Sequence, residues 1–89
     1  MLYSIYAEST PNPEVMKFVA NRQLTIKSIE INSIEEAKKH LITSELFKFN
    51  FIKKVYINSN FISISKKSDV EWGDVVMQVR NFITDILNN

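Results

Sequence analysis

Cysteine is absent from all 89 residues. The chain therefore forms no disulfide, no cysteine-bound zinc site, no cysteine-ligated iron–sulfur cluster and no cysteine nucleophile of its own. Glycine is nearly absent: Gly73 stands alone, and one glycine cannot build a phosphate-cradling loop. Histidine is also single. His40 has only Glu36, four residues before it, at a recognisable spacing, and the pair reads as a helix-surface contact. No Ser-His-Asp order or paired acid–base set stands out, so an enzyme is not expected. Net charge is only +1, too small for an overall field that draws nucleic acid or a membrane surface. No stretch reaches the roughly 18 to 20 apolar residues of a membrane helix. The opening Met1-Leu2-Tyr3-Ser4-Ile5 lacks the basic and long apolar regions of a leader, and the expected compartment is the cytoplasm.

What is there is ordinary globular material. Hydrophobic residues make up 45% and charged residues 24%, enough apolar surface for a core and a length that suits one domain, 1–89. Residues 2–8 and 15–19 read as strands from their Tyr, Ile, Val and Phe content. Residues 26–31 read as a third, imperfectly alternating strand. Ser33-x-x-Glu36 is a capping box, with Ile34, Ala37 and Leu41 following at helical spacing. Residues 44–49 suggest a short helical turn. Residues 53–67 read as a hairpin. Val55 and Ile57 alternate with Lys54 and Tyr56, and Ile62 and Ile64 with Ser63 and Ser65, which implies one buried and one wet face; the turn is Asn58-Ser59-Asn60, where Asn tolerates positive φ better than most residues. Ser68-x-x-Glu71 is a second capping box. Trp72, Val75, Val76, Val79, Phe82, Ile83, Ile86 and Leu87 then mark an amphipathic helix. Gly73 near its start suggests close packing. The expected fold class is α+β, two-layer: a single mainly antiparallel sheet of four to five strands with two main helices on one face.

Charge is uneven within this frame. Lys48, Lys53, Lys54, Lys66 and Lys67 follow one another with no acid among residues 46–67. Phe47, Phe49, Phe51, Tyr56 and Phe61 lie in the same stretch. Basic residues interleaved with aromatics could make a single-strand nucleic-acid platform across 48–67. The glycine–aromatic signature of RNA-recognition strands is missing, and nucleic acid is the alternative rather than the first expectation. The simpler reading puts the aromatics in the core and the lysines on solvated edges that discourage strand pairing.

Thr10-Pro11-Asn12-Pro13 is the most constrained segment. Two prolines fix φ and bias their predecessors away from helix, while Asn12 can close an Asx turn. Such a loop is either a stiff connector or a preorganised recognition edge. Lys17, facing away from Met16 and Phe18 on the following strand, adds a charge beside it.

The run Ser9-Thr10-Pro11-Asn12-Pro13 with Met16-Lys17-Phe18 resembles the opening of the N-terminal domain of the Nfu/NifU-like iron–sulfur scaffold proteins. The likeness continues through Ser33-Ile34-Glu35-Glu36-Ala37, Leu46-Phe47, Val55-Tyr56-Ile57, Phe61-Ile62-Ser63-Ile64-Ser65-Lys66 and Glu71-Trp72, covering essentially the whole chain. The family usually has glycine before the hairpin and in its turn; here Lys53-Lys54 and Asn58-Ser59-Asn60 stand there. The resemblance implies a part in iron–sulfur cluster assembly. It also implies that full-length members carry the cluster on a Cys-x-x-Cys pair in a separate C-terminal domain, and that stand-alone versions occur in bacteria. Iron or a cluster would then reach this chain only through a partner protein, a cluster carrier or assembly protein. The candidate binding residues are Thr10, Pro11, Asn12, Pro13 and Lys17; no catalytic, cofactor or metal residue is expected.

Overall fold

A computed structural model describes residues 2–89; Met1, where the leader reading begins, lies outside the described residues. Five strands and three helices follow in the order β1 (Ile5–Ser9), β2 (Val15–Ala20), β3 (Ile29–Ile31), α1 (Ile34–Ala37), α2 (Leu41–Leu46), β4 (Ile52–Asn58), β5 (Phe61–Lys66) and α3 (Trp72–Asn88). The strands form one sheet, ordered β1-β2-β5-β4-β3, antiparallel at every joint. The α+β class and the single antiparallel sheet are as expected from the sequence, with five strands and a third helix. Among the described residues no helix is long and apolar enough to cross a membrane.

Register builds the core. Phe18 lies opposite Ile62, Ile62 opposite Ile57, and Ile57 opposite Ile29, so one apolar row crosses from β2 to β3. Trp72, Val79 and Ile83 of α3 pack onto this face with Ala37 and Leu46 from the short helices. Their spacing of three to four residues or its multiples is what a helix needs to present one stripe. Phe18, Ile62, Ile64, Val79 and Ile83 are fully buried, and burying each side chain of this size contributes about 1.5–3 kcal/mol.

A bulge lets β4 start correctly. Ile52 pairs with Lys66 and Lys54 with Ser65, which leaves Lys53 as an extra residue. Ile52 and Val55 are both buried although three residues apart. Strict period-two alternation forbids that, and the added residue restores the phase.

Several local expectations need correction. The first helix breaks after one turn. Its capping box forms: Ser33 Oγ accepts from the Glu36 amide at 3.3 Å, and Glu36 Oε1 accepts from the Asn32 amide at 3.0 Å. Then His40 turns extended (φ −134°, ψ 140°) and stands before α2. The fully buried Thr43 hydroxyl lies 2.7 Å from the Ala37 carbonyl and 3.1 Å from that of His40. It bonds the Ala37 carbonyl, which a longer helix would have bonded internally, and adds to the Ser44 amide on the His40 carbonyl. Leu41, expected on the buried face, is 73% exposed, and the Glu36–His40 helix pair does not arise. The third strand is shorter than expected, and Ile26 lies in the open.

The second capping box does not form. Glu71, not Ser68, stands at the N-cap of α3, and it makes no side-chain capping bond. Trp72 sets the start instead, because its indole is buried and bonded to another strand's end (below). Gly73 has nothing within 4 Å of where a Cβ would be, so close packing is not its reason. In the hairpin, Ser59 rather than an Asn has positive φ, at 52°. Asn60 is committed elsewhere: its side-chain amide donates to the Ala20 carbonyl at 3.1 Å, and its own carbonyl accepts from the Ala20 amide at 2.7 Å.

Candidate interaction surface

The loop between β1 and β2 is closed by its own side chains. Thr10 Oγ1 accepts from the Asn12 amide at 3.2 Å and lies 2.9 Å from the Asn12 carbonyl and 3.0 Å from that of Val15. Asn12 Oδ1 accepts from the Glu14 amide at 3.0 Å, an Asx turn. The Val15 amide donates to the Asn12 carbonyl at 3.0 Å. Pro11, Asn12 and Pro13 are left exposed on the outside of this closed loop, and Thr10 is half-buried beneath them.

The loop is also held from the core. The Glu14 carbonyl accepts the Trp72 indole N–H at 2.9 Å and the Lys66 amide at 3.0 Å. The indole meets Phe18 and Phe51 edge-on at 5.8 and 6.5 Å between ring centres. One carbonyl thus joins the loop's exit to β5 and to α3. A recognition edge built this way has already lost the entropy a floppy loop would lose on binding.

Lys17 goes elsewhere. It faces the sheet surface that no helix covers, opposite Glu8 and Ser63. Its Nζ lies 4.3 Å from the centre of the Phe61 ring and 4.0 Å from Glu8 Oε2. Phe61 pairs with Val19, two residues farther along β2, so the Lys17 amine leans away from the proline loop. Thr10, Pro11, Asn12 and Pro13 form one surface; the charged end of Lys17 belongs to another.

An open face is expected from helices on one side of the sheet; its aromatic lining is not. Tyr6 lies opposite Val19 and Val19 opposite Phe61, with the Tyr56 ring 6.1 Å from Phe61. Tyr6 is 58% exposed. Tyr56 and Phe61 are therefore not core residues, in keeping with the hairpin's alternation rather than with the aromatics-in-core reading: Tyr56 falls between the buried Val55 and Ile57, and Phe61 precedes the buried Ile62. Phe51 is buried, and Phe47 and Phe49 pack against the core as expected.

The basic stretch is not one platform. Lys54 takes the same phase as Tyr56 on the open face. Lys53 reaches Glu14 at 3.8 Å, and Lys48 pairs with Glu45 at 2.6 Å. Lys66 is not a solvated edge residue: it shares the inward phase of Ile62 and Ile64, is 4% exposed, and its Nζ donates to the Lys67 carbonyl at 3.2 Å. Among the described residues no three His, Asp or Glu side chains gather as a metal site would require.

Comparison with known proteins places this architecture. Residues 5–89 match the family described as scaffold protein Nfu/NifU N terminal. The chain is 31% identical over 83 residues to the mitochondrial NFU1 iron–sulfur cluster scaffold homolog of Drosophila willistoni, covering 91% of this chain and 29% of that protein. It is 26% identical over 88 residues to a NifU-like protein of Schizosaccharomyces pombe, covering 96% and 34% respectively. The chain thus spans about a third or less of these curated relatives. Its fold is that of a NifU-like protein from Saccharomyces cerevisiae solved in solution (TM-score 0.80, 24% identity, 94% of this chain and 77% of that one). It is also that of protein SAV1430 from Staphylococcus aureus (TM-score 0.71, 21% identity, 88% and 95%). With the match running from β1 to the end of the last helix, and the proline loop tied to the tryptophan that opens that helix, the chain belongs to the Nfu/NifU N-terminal scaffold family.

Proposed function

We propose that this chain is a non-catalytic interaction module, accessory to iron–sulfur cluster assembly, that docks to a protein carrying the cluster or the iron. One observation carries the reading: a member of an iron–sulfur scaffold family has no thiolate anywhere in its sequence. Iron–sulfur clusters are held mostly by cysteine thiolates, so a chain without them contributes shape and contacts. The docking edge is the exposed Pro11-Asn12-Pro13 crest with Thr10 under it, and Lys17, whose amine turns toward Phe61, extends the contact onto the adjoining open face. Rigidity supports this choice, because the crest is held by Asn12 within and by Trp72 below.

The test keeps the loop's internal bond and sets no carboxylate opposite Glu8. Asn12→Asp retains the acceptor for the Glu14 amide, and Lys17→Gln removes the neighbouring charge without a like charge opposite Glu8. Combined, they should weaken capture of purified cluster-assembly proteins by about fivefold or more, since both shift the charge of the surface the partner meets. Thermal unfolding should shift by no more than about 4 °C. Unchanged capture with an intact fold would reject the docking edge, and a collapse of stability would make the loop a structural connector.

A further inference from the structure

The sheet end that carries the proline loop also carries two adjoining cavities, of about 440 and 210 Å³. Both are lined by Ile34, Phe47 and Lys48, so they form one groove between α1, α2 and the start of β4. The floor is apolar: Ile34 is 53% exposed, and Phe47 is only partly buried. The rim is basic: Lys38, Lys48, Lys53 and Lys67 line it, and neither cavity is lined by any Asp or Glu. Lys53 stands there because it is the extra residue of the β4 bulge.

Part of this charge is already answered and part is not. Glu45 meets Lys48 and Glu14 meets Lys53. Lys38 and Lys67 make no ion pair among the described residues. We infer that this groove is a second interaction surface, which takes an acidic segment of a protein partner with one large apolar side chain seated between Ile34 and Phe47. Charge complementarity selects the partner: four rim lysines against two paired carboxylates leave Lys38 and Lys67 unanswered, which favours carboxylates and disfavours basic segments. The concave apolar floor selects a side chain over a nucleic-acid strand. A strand binds through a continuous basic track and exposed stacking rings. Here Glu45 and Glu14 interrupt the track, and the exposed Tyr6 and Tyr56 lie on the open sheet face. The inference goes beyond the docking edge proposed above and does not depend on it.

The probe is a short amidated peptide of Asp and Glu residues around a central Phe and Leu, titrated into the isotope-labelled chain and followed by amide chemical shifts. Saturable shifts should centre on Ile34, Phe47, Lys48, Asn50 and Lys67. A Lys38→Gln, Lys48→Gln, Lys67→Gln triple variant, checked for folding by circular dichroism, should bind about tenfold more weakly. Ile34→Ala with all lysines intact should weaken binding about threefold or more, because the apolar contact is lost. Binding should fall steeply between low and physiological salt. Several results would overturn the inference: no saturable shifts, shifts centred on Tyr6, Tyr56 and Phe61, or equal binding of a peptide with Ser in place of Phe and Leu. Tighter binding of single-stranded oligothymidylate to the same amides would overturn it too. The titration leaves Asn12 and Lys17 untouched, so its failure and that of the docking edge are told apart.

Discussion

Ser59 occupies a backbone conformation that costs an L-residue free energy, and its surroundings leave it no alternative. Its carbonyl accepts the Leu24 amide at 2.7 Å, and Asn60 beside it is locked to Ala20. A left-handed residue costs roughly 1–2 kcal/mol when it has a Cβ, and glycine escapes that cost at a smaller entropic one. Ser59→Gly should therefore raise stability by about 0.5–1 kcal/mol, read as a shift of the urea midpoint at unchanged slope. A lower midpoint would mean that the Ser59 side chain contributes something the geometry does not reveal. Gly73 presents the converse case. It sits in the first turn of α3 with open space around it. Gly73→Ala should stabilise by about 0.5–1 kcal/mol through helix propensity and reduced freedom of the unfolded chain. Equal or lower stability in the same titration would contradict this. Which hairpin residue bears the positive φ was not legible in the sequence. Asn58 and Asn60 tolerate it better in isolation, but the tie from Asn60 to β2 involves residues 40 positions apart.

At the scale of elements, α3 covers the sheet with Trp72, Val79 and Ile83. Its stripe of apolar residues was plain in the sequence, since helical periodicity depends only on local spacing. Its first residue was not plain. Two capping boxes look alike on paper, yet Ser33 caps its helix and Ser68 does not. The difference is Trp72, whose buried indole must reach the Glu14 carbonyl, so tertiary packing decides where the helix begins. Trp72→Phe keeps an aromatic ring against Phe18 and Phe51 and removes the donor. The Glu14 carbonyl keeps the Lys66 amide, so the expected cost is about 1–2 kcal/mol, one hydrogen bond plus a small cavity. Amide exchange should also quicken at Val15 and Glu14, where the loop is anchored. A loss below about 0.5 kcal/mol would show that the loop is held without the tryptophan. The break between α1 and α2 has a similar origin: Thr43 draws the chain back onto the Ala37 carbonyl, and nothing in the spacing of Ile34, Ala37 and Leu41 reveals it.

For the whole molecule, the sheet divides the surface into regions with different chemistry. One face is the core, one is an open aromatic face, and one end gathers the proline crest and the lysine-rimmed groove. The division follows from side-chain alternation, which sends Lys54 outward and Lys66 inward along paired strands. Chemical capability follows from composition. Reconstitution of the purified chain with ferrous iron and sulfide should leave no stoichiometric cluster chromophore after desalting, because no thiolate is present to hold one. An absorbance band that persists at one cluster per chain would refute this and would point to carboxylate and imidazole ligands.

Composition and local pattern alone determined the α+β class, the antiparallel pairing of the hairpin, the amphipathic last helix and the lack of any cysteine-based chemistry. These depend on neighbours within a few positions, where sterics and side-chain spacing act directly. Tertiary structure alone decided the bulge at Lys53, the break before His40, the direction of Lys17 and the burial of Lys66. Each of those depends on a partner strand or helix distant in sequence. Packing a shared core can override a local preference worth about 1 kcal/mol or less.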